Sequence, residues 1–185
     1  QVGRPGMCKK IATLLLFSLF GHTVYAYELG FRTIEEPLPI LLDFSGSSDS
    51  GITWHAAAID ALNTWSETTE FEFTLVPQQA DPCAVFPPHF IGDDRNAVAF
   101  SDDACGVPFD EDTLAITFSV TIITGDIYTL ESDVVINSSI DWDIYNGPMR
   151  LFTTDFKRVL IHELGHMIGL NHEDDVPAIM ASFVD

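Results

Sequence analysis

The sequence predicts one mixed α/β domain of the α+β kind, and three observations carry that expectation. A helical apolar repeat spans residues 54–65, two-residue alternation recurs at 71–76 and 113–137, and a second helical stretch follows toward the C-terminal end. Strand, helix, strand, then a meander of strands and a last helix is the order of a sheet covered by helices.

Taken in order, "PLPILLDF" (37–44) is a compact apolar run that reads as the first strand, and "SGSSDSG" (45–51) is a turn-rich connector. Trp54, Ala57, Ala58, Ala61, Leu62 and Trp65 recur at i, i+3, i+4, i+7, i+8 and i+11, which puts them on one helix face, with Thr53 as N-cap. "FEFTLV" (71–76) alternates as a half-buried strand should. Residues 77–112 are irregular, with five prolines, and only "NAVAF" (96–100) is strand-like. "TLAITFSVTII" (113–123) and "DIYTLESDVVIN" (126–137), parted by Thr124-Gly125, read as adjacent antiparallel strands. The last helix is expected to start near Thr154 or Asp155 and to run to about Gly169.

The first residues read as a leader. Met7-Cys8-Lys9-Lys10 is a short basic start, residues 11–20 are apolar except for Thr13 and Ser18, and Val24-Tyr25-Ala26 has the small-residue pattern of a signal-peptidase site. The apolar run is too short to span a bilayer comfortably. The expected organisation is therefore upstream residues plus signal peptide over 1–26, a short lead-in over 27–36, and one domain over 37–185. Without the leader, five Lys and Arg face 28 Asp and Glu, a net charge of −23. That charge argues against nucleic acid or an anionic membrane as partner and suits a secreted, extracellular protein, with no membrane attachment once the signal is cleaved. The two cysteines beyond the leader, Cys83 and Cys105, form an even pair in an exported chain, which favours one disulfide.

"HELGHMIGLNH" (162–172) holds three of the six histidines. His162 and His166, four residues apart on a helix, project from nearly the same face one turn apart, so both imidazoles can converge on one ion. Zn²⁺ takes nitrogen ligands at about 2.0–2.1 Å and favours four-coordinate geometry. Glu163, offset by one residue, is placed to act on water at the metal without ligating it. Gly169 can adopt the left-handed conformation that ends the helix and returns the chain, which lets His172 serve as third ligand. Three protein ligands with a fourth position open is the pattern of catalytic zinc. Composition alone would produce this joint motif in a chain of this length on the order of once in 10⁵, so chance is set aside.

His-Glu-x-x-His-x-x-Gly-x-x-His followed by a methionine, here Met180 in "AIMAS", resembles the metzincin zinc peptidases. "HEDDVPAIM" is similar to the matrixin branch and its bacterial members. "AAAIDALNTWSETTEFEF" is similar to the matrixin first helix and following strand, and "TLAIT" with "GDIYTLESDVVIN" to the edge strand and its neighbour. The resemblance implies a twisted, mostly parallel sheet carrying an antiparallel edge strand, a first helix and a zinc-binding helix. It implies a monomeric endopeptidase with one catalytic Zn²⁺ held by His162, His166 and His172, and Glu163 as general base. Met180 would form an apolar floor beneath the ligands. The edge strand around Leu114, Ala115 and Ile116 would pair with extended protein or peptide substrates.

Glu173 and Ser182 stand where matrixins commonly carry Ser and Pro. Only His89 lies between the two helices, so the family's second, structural zinc is not expected here. Ca²⁺ is left open by Asp93-Asp94, Asp102-Asp103 and the run from Asp110 to Asp112, although no ordered ligand spacing marks them and solvated acidic loops are the first expectation. "ACGVPFD" (104–110) is similar to the cysteine switch of matrixin propeptides but follows the first helix, so a Cys83–Cys105 disulfide is expected in place of a zinc-capping Cys105. The alternatives are a zinc-keeping binding module without turnover, and a fragment cut after the methionine turn, since five residues follow Met180. An amidase-like zinc hydrolase is disfavoured by the third histidine and the methionine spacing.

Overall fold

The computed structural model describes residues 9–10, 32–33, 37–84, 92–123, 127–175 and 177–184. Most of the expected leader and lead-in, His89 and the Thr124-Gly125 turn lie outside them. In chain order the elements are β1 (Lys9–Lys10), β2 (Arg32–Thr33), β3 (Leu38–Asp43), α1 (Trp54–Thr68), β4 (Phe73–Leu75), β5 (Ala97–Ser101), β6 (Ala115–Ile123), β7 (Ile127–Asn137), β8 (Trp142–Asp143), β9 (Thr154–Asp155), α2 (Phe156–Met167) and β10 (Phe183–Val184).

Strands β4, β3, β5 and β7 run parallel in that spatial order, and β2 joins the start of β7 in the same direction. β6 closes the other edge of β7 antiparallel, from Ala115 opposite Ile136 to Ile123 opposite Ile127, with a bulge between Val120 and Thr121. The sheet is therefore mostly parallel with an antiparallel edge strand. Two short ribbons, β8 with β9 and β1 with β10, stand apart from it.

Pleat alternation decides what each face meets. Leu38, Ile40 and Leu42 of β3, Val98 of β5, and Val134 and Ile136 of β7 join the cluster that contains both helices. α1 adds Ala57, Ala58, Ala61, Leu62 and Trp65, the stripe read from its periodicity, and Thr53 caps it by accepting the Ala56 N–H at 3.1 Å. α2 adds Phe156, Val159, Leu160, Leu164 and Met167. Phe156 is fully buried, with ring centroids 5.2 Å from Phe44 and 6.2 Å from Trp142 in edge-on contact, and so anchors the start of α2. The Trp65 indole N–H donates to Ile161 O at 2.9 Å, tying α1 to α2. The other face of the sheet is covered by loops around Cys105, Ala104, Phe118 and Val135. There Cys83 and Cys105 form a disulfide with Cα atoms 5.0 Å apart.

Several elements are shorter than their patterns: the runs at 37–44 and 113–123 form strands over Leu38–Asp43 and Ala115–Ile123, and two others have a clear physical reason. The strand expected over 71–76 is confined to Phe73–Leu75 at the sheet margin, where Phe71 packs its ring on Phe73 at 5.1 Å and Leu75 stays exposed. The last helix stops at Met167, because Ile168 to Leu170 form its closing turn, described below.

Glu131 and Asp133 of β7 lie buried side by side on the loop-covered face and share a hydrogen bond. Asp133 Oδ1 accepts the Ala97 N–H at 3.0 Å, and Glu131 Oε2 accepts from the Asp94 and Arg95 N–H groups. Burial, then Glu131 itself, pushes the Asp133 carboxyl from 3.8 up to about 9, so the folded pair keeps a proton that the unfolded chain releases. Stability from this pair is complete below 3.8 and declines as pH rises toward 9. Asp133→Asn keeps the acceptor for Ala97 and donates to Glu131 without titrating. Thermal unfolding followed from about pH 5 to pH 9 should show a shallower decline in Tm for this variant than for the parent. Equal slopes would refute the shared proton.

Candidate metal centre

α2 begins at an N-cap, Asp155, whose carboxylate accepts the Lys157 N–H at 3.2 Å while its backbone is held in β9. The helix ends in a glycine turn: Gly169, at φ +98°, sends its N–H to His166 O at 3.0 Å, and Leu170 N–H reaches Gly165 O at 2.9 Å. These two bonds make a Schellman motif, which reverses the chain and brings His172 back over the last helical turn.

His162 and His166 are buried and His172 is exposed beside them. Nε2 of His166 lies 3.0 Å from Nε2 of His162 and 3.2 Å from Nε2 of His172. The opposite ring nitrogens settle the tautomers. His162 Nδ1 is 2.7 Å from Ile179 O and His166 Nδ1 is 2.7 Å from Leu170 O, and a carbonyl can only accept. Nδ1 therefore carries the proton in both rings, and each Nε2 presents a lone pair. Two lone pairs 3.0 Å apart repel, and a cation between them removes the conflict. Tetrahedral zinc with bonds of about 2.0–2.1 Å spaces its ligand nitrogens by roughly 3.3 Å, within a few tenths of the observed separations. Burial holds His162 at about 4 and His166 at about 3, and lowers His172 as well, so the rings are neutral as metal ligation requires. The donor set fits zinc.

Glu163 is completely buried. Its Oε2 accepts the Thr117 hydroxyl at 2.6 Å, and its Oε1 has no protein partner. Burial pushes its carboxyl up to about 8 against the opposing pull of the Thr117 bond.

Met180 is buried and packs into the space left by Gly165, one residue before His166. A Cβ at Gly165 would collide with Met180 Sδ and come within 3.1 Å of Trp65 Cζ2, so a larger residue here would have to displace the methionine side chain from the helix surface. The methionine turn also closes back on the histidine segment. Glu173 N–H donates to Met180 O at 2.8 Å, and Asp174 accepts both the N–H and the hydroxyl of Ser182, at 2.8 and 2.7 Å. Ser182 stands where matrixins commonly have proline, which could not donate that N–H. A cavity of about 200 Å³ opens beside His172, lined by Trp65, Leu170, Ala178, Ile179 and Met180.

The structure thus brings His162, His166 and His172 together, with Glu163 next to His162 on the helix and held by Thr117, and with Met180 packed against Gly165. Leu114 and Ala115 are buried in the main core, and Ile116 packs against the disulfide cluster, so their side chains do packing work, and Leu114 O already accepts the Asn137 N–H at 2.9 Å. Among the described residues the three histidines are the one group of His, Cys, Asp or Glu that converges to hold an ion, and none of the three acidic stretches considered for Ca²⁺ joins such a group. Ile179 O, Leu170 O, Gly165 and Thr117 were not foreseen from sequence. Gly165 had the only local signal, a glycine inside a helix.

A helix bearing two of three converging histidines, a glycine turn that delivers the third, and a methionine turn packed against that helix define a zinc-peptidase type of domain. The matrixin family model matches residues 47–185, and the chain belongs to the matrixin family, whose members are zinc metallopeptidases. No curated protein matches the chain. No helix among the described residues is long and apolar enough to cross a membrane.

Proposed function

We propose that the protein is a secreted zinc endopeptidase, exported by its leader over 1–26 and acting on extended protein or peptide substrates. The observation that carries this reading is the trio of Nε2 atoms, two of them with tautomers locked by Ile179 O and Leu170 O. His162, His166 and His172 would hold the ion. When bound, zinc supplies Lewis acidity that polarises the scissile carbonyl and acidifies water. Glu163, through the unpartnered Oε1, takes the proton of the attacking water and passes it to the leaving amine. The backbone of residues 114–116 pairs with the substrate as an added strand, and Met180 supports the ligand rings from below. Asp, Glu and water ligands for a second ion play no part in this scheme.

Cleavage of fluorescein-labelled casein by the zinc-loaded protein tests the reading. Treatment with a zinc chelator should abolish cleavage, and one equivalent of zinc should restore it. Cleavage that persists in the chelated protein, or an inactive protein with zinc stoichiometrically bound, would count against a peptidase and favour a zinc-keeping binding module.

A further inference from the structure

We propose that Thr117 is a positioning residue for Glu163, an inference that rests on the peptidase reading above. In β6 the side chains alternate: Ala115 joins the core beneath α2 and Thr117 meets Glu163, while Ile116 and Phe118 join the disulfide cluster. Thr117 sits opposite Val134, on the sheet face that also carries the fully buried Ala115 and Ile136, where β-branched apolar residues are the usual occupants. A hydroxyl there is 1% exposed and must find a partner inside the protein. It has two acceptors within reach, both on Glu163: Oε2 at 2.6 Å and the backbone O at 3.3 Å. It has one proton to give, and 2.6 Å against 3.3 Å assigns it to the side-chain oxygen.

The bond makes the two carboxylate oxygens unequal. Oε2 is held by the edge strand, and Oε1 is left buried and without a protein partner. A glutamate side chain has three rotatable bonds, and a hydrogen bond from a β-branched residue in a sheet removes much of that freedom. Thr117 therefore fixes which oxygen meets water and where, before substrate arrives. The same strand offers its backbone to the substrate, so the general base and the bound peptide are registered by one element. The requirement is for a hydroxyl, and serine should serve.

The test compares Thr117→Val, which keeps the shape and loses the hydroxyl, with Thr117→Ser, which keeps it. Thr117→Val should lower kcat on labelled casein about ten- to a hundredfold, with KM and zinc stoichiometry close to the parent and the protein still fully folded at the assay temperature, although the orphaned Glu163 oxygen lowers Tm. Thr117→Ser should stay within about threefold of the parent, the rescue expected when only the hydroxyl matters. Thr117→Val with full kcat, a loss shared equally by serine, or a loss that follows zinc content or unfolding at the assay temperature would each overturn the proposal. Glu163→Gln in parallel separates the two levels of inference. If it remains active, the peptidase mechanism itself fails; if it is inactive while Thr117→Val is not, only the positioning role fails. In the metal-free protein, a double-mutant cycle of Thr117→Val with Glu163→Met, which removes the acceptor, reads the bond on Tm without activity, and additive shifts would also overturn the proposal.

Discussion

Glu163→Gln is expected to lower kcat for casein cleavage by about 10²–10⁴-fold, the usual contribution of a positioned general base, while zinc content stays at that of the parent. The substitution preserves volume, and its amide oxygen can still accept the Thr117 hydroxyl, so the helix has no reason to move. It removes only the ability to take a proton. Glu163 is also a fully buried carboxyl whose ionised form is disfavoured by that burial, so the neutral amide should leave the metal-free protein at least as stable. Activity lost with stability held or raised is the signature of a group kept for chemistry at the expense of the fold. The measurement is kcat beside Tm for parent and variant. A variant with near-parent kcat would remove Glu163 from the mechanism, and a variant that unfolds would recast it as a structural residue.

His166→Ala should have the second large effect, on metal binding itself. His166 is the central member of the trio, since its Nε2 is within 3.2 Å of both partners, and its Nδ1 is fastened to the closing turn at Leu170 O. Its loss should weaken zinc binding by more than the roughly 10–100-fold that follows from removing an outer partner of a ligand. Calorimetric titration with zinc measures this directly. Zinc that binds the folded and not the unfolded chain raises Tm, and in the parent a free concentration of 1,000 times Kd corresponds to about 4 kcal/mol. The variant should show little of that rise. A full zinc-dependent rise and one-to-one binding in His166→Ala would place the metal elsewhere.

The legibility of this protein in its sequence follows the range of each interaction. The α1 stripe and its Thr53 cap were readable because helical periodicity and N-capping act over three or four residues. The pairing of β6 with β7 was readable for a related reason, two alternating runs separated by a short turn. Parallel neighbours carry no such local mark. That β5 lies between β3 and β7, and that β4 pairs with β3 across α1, was not read from the sequence, because each of these contacts closes over tens of residues. The strand at 71–76 was overread, since alternation continues beyond the point where the sheet has a neighbour to offer.

By itself the sequence determined that His162, His166 and His172 would meet, since four-residue helical spacing and a glycine able to adopt positive φ are local geometry. It also placed Glu163 beside them. Only the tertiary structure decided how those groups are tuned. Ile179 O, 17 residues from His162, sets its tautomer; Thr117, 46 residues from Glu163, selects one carboxylate oxygen; Met180 occupies the space that Gly165 leaves empty. These partners act through donor direction and contact distance across elements, and neither quantity has any period along the chain. The sequence spaces the groups that can bind a metal, and the packing of β6 and the methionine turn against α2 decides which of their atoms are free to act.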